Sequence, residues 1–257
     1  MNKRTIKDYA LGGWLGVFSL TGCVSQPGTN VSNQQQAVEN YMSLARGYLQ
    51  EGYTEKAIKP LKRALEIDRH SSDAYGMLAL TYQVQGEDKL ADTFFRKALS
   101  YDARAADVQN NYGAFLFSQG QLEDAYKQFA RAAENMDYEK RSRAYENMGI
   151  VALKQDKSPL AKQHFEKSLR LNGNLVRARF ELAALLHNER QYRSAWSHYK
   201  AFTRQSRQNP RSLWLGIQLA RMNGDRDAAA SYAVQLESLY PASRELKAYR
   251  SLVRYEK

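Results

Sequence analysis

The chain has 257 residues, 43% of them hydrophobic, with five prolines and a single cysteine. Ala, Leu, Glu, Lys, Arg, Gln and Tyr dominate while Val and Ile are sparse, a helical composition that leaves too little material for a large sheet. One cysteine excludes a disulfide framework. The formal charge is +11, but basic residues alternate with acidic ones, as in Glu66-Ile67-Asp68-Arg69. No Lys/Arg block with interleaved aromatics is there to follow a phosphate backbone, so nucleic acid is not an expected partner.

Residues 1–22 read as a lipoprotein signal peptide. Lys3, Arg4 and Lys7 form a positive start, and an apolar stretch runs from Ala10 to Leu20, broken by Gly12, Gly13 and Gly16. That stretch is shorter than the roughly 20 apolar residues a membrane-spanning helix needs. It ends in Leu20-Thr21-Gly22-Cys23, which resembles the bacterial lipobox, where small residues precede a cysteine that is lipidated and becomes the new N-terminus. The expected modification is an S-diacylglycerol and an N-acyl chain on Cys23; no other cofactor is expected. Each buried methylene contributes about 0.8 kcal/mol, so two or more acyl chains make a stable anchor. Val24 follows the cysteine. In lipoproteins of this appearance an Asp there often retains the protein at the inner membrane, and its absence favours the outer membrane. Residues 23–37, rich in Ser, Asn and Gln after the cysteine, cannot bury a core and read as a lipidated flexible tether.

From residue 38 to 257 the chain repeats. Gly52, Gly86 and Gly120 recur every 34 residues, and Asp156, Arg190 and Gly224 continue the series at spacings of 36, 34 and 34. Five residues after each lies Ala57, Ala91, Ala125, Ala161, Ala195 or Ala229; four further on comes Leu61, Phe95, Phe129, Phe165, Tyr199 or Ala233. This rhythm matches the second helix of a tetratricopeptide hairpin. Small residues let two helices approach, large ones fill the gap to the next hairpin, and the glycine closes the turn. The first helices agree, with Tyr41, Leu44, Ala45 and Tyr48 in repeat one and Tyr75, Leu78, Ala79 and Tyr82 in repeat two. The repeats fall at 38–71, 72–105, 106–141, 142–175, 176–209 and 210–241, with a capping helix at 242–257. The two extra residues between repeats three and four belong to a longer loop near Met136–Arg141. The expected fold is all-α, a right-handed superhelical solenoid of six tetratricopeptide hairpins plus a C-terminal helix.

A stacked array curves, and its first helices line the concave side. Places two, five, nine and twelve of each repeat face the groove. The residues read there include Arg46, Gln83, Ala114, Glu146, Ala184, His187 and Gln218, and an apolar or amide set expected to bind a partner: Met42, Leu49, Leu80, Asn110, Phe117, Ile150, Leu153, Phe180 and Trp214. An apolar stripe on a concave face marks a site for a peptide or partner helix. The alternative is that neighbouring hairpins or the C-terminal helix cover these side chains. Asn110-Asn111 either makes polar groove contacts or ties neighbouring helices together. The Lys/Asn/Arg clamp that holds a C-terminal carboxylate in some such domains is incomplete, with Met42 and Arg46 where Lys and Asn are wanted and Asn111 and Asn147 only partly fitting.

No catalytic set emerges. The four histidines, His70, His164, His187 and His198, form no H-x-x-x-H, and there is neither a C-x-x-C nor a phosphate-cradling glycine loop. The chain is therefore expected to be no enzyme and to take no metal and no small-molecule substrate.

Several stretches exceed the generic repeat: Asn110-Asn111-Tyr112-Gly113, Arg141-Ser142-Arg143, Glu146-Asn147-Met148-Gly149, Phe165-Glu166-Lys167-Ser168-Leu169-Arg170-Leu171-Asn172 and Arg211-Ser212-Leu213-Trp214-Leu215-Gly216-Ile217. With the lipobox they resemble the PilF/PilW family of type IV pilus lipoproteins, over Cys23 to Pro241. The resemblance implies six repeats, lipid-anchored residence at the outer membrane with the repeat domain in the periplasm, and a pilotin's role in escorting the pilus secretin and promoting its ring assembly. It implies no catalysis. A different adaptor, a lipoprotein scaffold for cell-wall hydrolases, proteases or the outer-membrane protein assembly machine, would use the same fold and anchor.

Overall fold

The computed structural model describes residues 28–254, which form thirteen α-helices and no strand. They are α1 (Gly28–Gln50), α2 (Thr54–Ile67), α3 (Ser72–Val84), α4 (Asp88–Tyr101), α5 (Ala106–Ser118), α6 (Leu122–Glu134), α7 (Arg141–Lys154), α8 (Ser158–Leu171), α9 (Val176–Asn188), α10 (Tyr192–Thr203), α11 (Pro210–Met222), α12 (Arg226–Leu239) and α13 (Arg244–Arg254). Each odd helix up to α11 pairs with the next even one as a hairpin, and α13 packs on α11 and α12. The first helices of successive hairpins also lie close, backbone to backbone, whereas successive second helices stand further apart and meet through long side chains such as Tyr126 and His164. The array therefore bends with its first helices inside, and the groove lies on them.

The repeat rhythm is the core. Ala57, Ala91, Ala125, Ala161 and Ala195 are fully buried, and so are Leu61, Phe95, Phe165 and Tyr199. Phe129 completes that row within the core. In repeat six the large residue is replaced by Ala233, and the cluster there is completed by Leu213, Ile217, Leu236 and Leu246 of α13. The close approach that small residues allow is sharpest at Gly216, where an added Cβ would run into the Tyr199 hydroxyl, and at Gly149, where it would lie 2.6 Å from Phe165 Cε1.

Every hairpin turn is closed by the same device. Gly52, Gly86, Gly120 and Gly224 have φ between +75° and +81°, and Asp156 and Arg190 take the same left-handed conformation at φ +56° and +59°. The next backbone N–H then reaches back to the first helix, as in Tyr53 N donating to Tyr48 O at 2.8 Å and Gln191 N to Leu186 O at 2.9 Å. This six-to-one bond satisfies carbonyls that the helix end leaves open. Starts are capped more sparsely: Ser71 Oγ accepts from Ala74 N, Asp225 from Ala228 N, and Asn209 forms a reciprocal capping box with Ser212.

The segment expected as a tether is helical from residue 28. Residues 28–37 continue α1, with Gln36 Nε2 donating to Asn40 Oδ1 one turn on at 3.3 Å. Glutamine is a good helix former, so an exposed polar segment can extend a helix that is anchored downstream without burying anything itself. The connection between α6 and α7 carries the two additional residues, and its Tyr138 is buried, donating from its hydroxyl to Asp107 Oδ1 at 3.3 Å. Cys23, the signal segment and residues 24–27 lie outside the described residues.

Candidate partner-binding groove

A concavity on the first helices lies across repeats one to three. Met42 and Leu49 of α1, Met77 and Leu80 of α3 and Val108 of α5 give it an apolar floor, and Arg46, Asp73, Asp107, Asn111 and Lys140 stand around it. A second hollow shares Met42, Arg46 and Asp73 and extends towards Gln34, Gln35 and Glu39 on the first half of α1. Apart from Val108, the floor is built of unbranched Met and γ-branched Leu side chains, which adapt to varied apolar anchors. The rim is charged: Lys140 Nζ donates to Asp107 Oδ1 at 2.8 Å.

Met42, Leu49 and Leu80 thus come together. The other six expected groove residues sit apart from that concavity. Phe117 and Leu153 are half-buried and pack against the core. Trp214 is half-buried against the cluster formed with α13. Ile150 and Phe180 are buried, each at 7% exposure, so both belong to the packing between hairpins. Phe180 has the Phe202 ring 5.0 Å away on one side and the Arg211 guanidinium 4.7 Å away on another. Asn110 accepts from Asn147 Nδ2 at 3.1 Å, which ties α5 to α7. Of the two readings for this asparagine, the structure takes the tie.

Two glutamates read or passed over as surface residues are structural. Glu146 of α7 is buried and accepts the N–H of Ala178 in the first turn of α9 at 2.9 Å. Burial pushes its carboxyl above the usual range, against the pull of that N–H and of Arg177 and Arg143. Glu181 of α9 receives both terminal nitrogens of Arg211 at 2.8 Å, and this pairing holds the guanidinium's pKa up. The histidines do not converge. His164 Nε2 lies 2.9 Å from Tyr126 Oη, His198 Nδ1 is buried without a partner, and burial holds both below the ordinary value. Among the described residues no group of three His, Cys, Asp or Glu could hold a metal ion, and no helix is long and apolar enough to cross a membrane.

Met77, Asp73 and Asp107 were not singled out from sequence. The last two occupy the second place of their repeats, so the signal was present in the phase itself.

Helical hairpins with this turn, this core rhythm and first helices lining a groove define a tetratricopeptide solenoid, and tetratricopeptide repeat models match residues 38–71, 72–104 and 104–174. The likeness goes further than the fold. The type IV pilus assembly protein PilF of Pseudomonas aeruginosa is 46% identical over 242 residues, spanning 93% of this chain and 96% of that protein. The solved P. aeruginosa PilF structure superposes with a TM-score of 0.83 at 47% identity, covering 85% of this chain and 99% of that one. PilW, described as a widely conserved type IV pilus biogenesis factor, superposes with a TM-score of 0.69 at 27% identity, covering 83% and 98%. The chain belongs to the PilF/PilW family of type IV pilus biogenesis proteins.

Proposed function

We propose that this protein is a pilotin: a non-catalytic outer-membrane lipoprotein, anchored by acyl chains on Cys23, that binds the type IV pilus secretin and promotes its localisation and multimerisation for pilus assembly and twitching motility. The observation that carries the reading is the apolar floor shared by Met42, Leu49, Met77 and Leu80 on the inner face of a chain of this family. A rigid solenoid with a preformed apolar hollow suits capture of an extended or helical segment, and the anchor supplies the membrane address.

The test is retention of secretin by the full lipidated protein. Wild type retains it, whereas Leu49→Asp with Met77→Asp loses it while keeping the helical circular dichroism of the wild type. Cys23→Ser leaves the repeat domain folded and strands the secretin in the inner membrane or as monomers. Normal outer-membrane multimers in the Cys23→Ser strain would sink the targeting mechanism. Retention of cell-wall hydrolases or assembly-machine proteins in place of secretin would move the reading to a general scaffold.

A further inference from the structure

The second place of the repeat carries Glu39, Asp73, Asp107, Arg143, Arg177 and Arg211, in that order. All six side chains are exposed. The sign changes once, between repeats three and four, so this row of the inner face runs from acidic to basic, with Arg46 and Lys140 also standing around the hollow at its acidic end.

Helix stability does not account for this. Asp73 and Asp107 sit in the first turns of α3 and α5, where the helix dipole favours a negative charge. The basic residues occupy the same turn of α7, α9 and α11, where the dipole opposes them, and none of these three first turns contains an acid. Nor does internal pairing consume more than two of the six charges. Arg211 is spent on Glu181 and Asp107 on Lys140 and Tyr138. Among the described residues Glu39, Asp73, Arg143 and Arg177 make no hydrogen bond or salt bridge with their charged groups; buried Glu146 is the counter-charge that Arg143 and Arg177 feel.

Resting on the groove as the binding face, we infer that its occupant is a bipolar extended segment, with apolar anchors and basic residues over repeats one to three and acidic residues over repeats four and five. Asp73 rims the hollow whose floor is Met42, Leu49, Met77 and Leu80, and Glu39 lines the hollow that adjoins it, so basic and apolar side chains alternate in that part of the segment. Neighbouring first helices lie roughly 8–10 Å apart, and an extended chain advances about 3.3 Å per residue. Three residues therefore pass each repeat, and about 15 span the five. Charge order sets direction, because a reversed segment faces like charges at both ends. A second copy of this chain is the weaker occupant, since two concave faces do not fill one another as an isologous interface requires.

The test pans random phage-displayed 18-mers against the folded full chain. Wild type enriches peptides with a basic–apolar cluster separated from an acidic one; Arg143→Glu with Arg177→Glu loses the acidic cluster from its selection. A synthetic peptide of the enriched sequence binds that variant at least tenfold more weakly, and changing its acidic residues to lysine restores the affinity. Glutamate in these first turns agrees with the dipole but removes the counter-charges of Glu146, so helical circular dichroism equal to wild type is required of the variant; Arg143→Gln with Arg177→Gln, which adds no like charge, gives a second reading of the same loss. Enriched peptides without charge order, no enrichment, equal binding to the variant, or self-association at the concentrations used would each overturn the inference. Bipolar selection by a protein that retains no secretin would overturn the pilotin reading alone, and secretin retention with unordered peptides would overturn the bipolar groove alone.

Discussion

Glu181 and Arg211 join α9 to α11 through two parallel bonds of 2.8 Å, with the guanidinium also lying 4.7 Å from the centre of the Phe180 ring. The partners are unequal: the Glu181 side chain is 10% exposed and that of Arg211 54%. Removing the arginine leaves a nearly buried carboxylate without its counter-ion, whereas Glu181→Gln leaves an arginine that water can solvate. Arg211→Leu is therefore expected to be the costlier change, by about 1–2 kcal/mol given that one partner is exposed. Hydrogen exchange should show the loss confined to α11–α13, because each hairpin of a solenoid is held by its neighbours. Equal effects of the two changes would contradict this account.

Gly149 and Phe165 give a second, opposed pair of outcomes. The methyl of Gly149→Ala meets ring atoms at 2.6–2.9 Å, and the ring is fully buried, so overpacking is expected to cost about 1–3 kcal/mol. Gly47, in the interior of α1, has no atom within 4 Å of such a methyl, so Gly47→Ala should stabilise by about 0.4–1 kcal/mol through helix propensity and a less free unfolded chain. Urea midpoints of the two variants on either side of wild type are the check.

The hairpin turns supply another. Arg190 holds φ +59° where four other repeats have glycine. A left-handed non-glycine residue costs roughly 1–2 kcal/mol, and glycine returns about 0.4–1 kcal/mol of that through unfolded-state entropy. Arg190→Gly is expected to raise stability by about 0.5–1 kcal/mol, the difference between those two terms. The reverse change, Gly120→Ala at φ +75°, should lower it. An Arg190→Gly protein that melts below wild type would show that the side chain matters more than the backbone there.

What the sequence made legible follows from what repeats. The turns at Gly52 through Gly224 and the buried rhythm from Ala57 to Leu236 recur with one period, so each copy reinforces the next. The extension of α1 over residues 28–37 has no such support: a Gln-rich segment reads alike as tether or as exposed helix, and only continuity with the anchored part of α1 decides. The groove was legible in phase and not in depth. Ile150 and Phe180 stand at groove positions, yet both are buried in the packing between hairpins, which depends on the neighbouring repeats rather than on their own. Asn110 finds its partner in Asn147, 37 residues away, a contact no local pattern encodes.

Two kinds of buried titrating group act on stability with opposite sign. His164 and His198 titrate below the ordinary histidine value because burial disfavours the cation, with Arg179 adding to it at His198 and Glu166 opposing. The unfolded chain thus takes up protons first. The stability from the neutral rings is complete above the unfolded histidine value and is lost as pH falls from there through the lower folded value. Glu146 titrates above the ordinary value, again chiefly through burial, so its folded form takes up a proton first. The cost of its charge is present above the folded value and is relieved as pH falls through it to the unfolded one. Lowering the pH from 7 to 5 should therefore depress the melting temperature through the histidines. His164→Gln with His198→Gln should flatten that fall, because glutamine does not titrate. Glu146→Gln keeps an oxygen to accept the Ala178 N–H at the start of α9 and removes the buried charge. Its advantage over wild type should be largest at pH 7 and shrink towards pH 4. Melting curves at each pH for the three proteins decide it: a Glu146→Gln advantage that grows on acidification would mean that attraction to Arg143 and Arg177, rather than burial, governs that carboxyl.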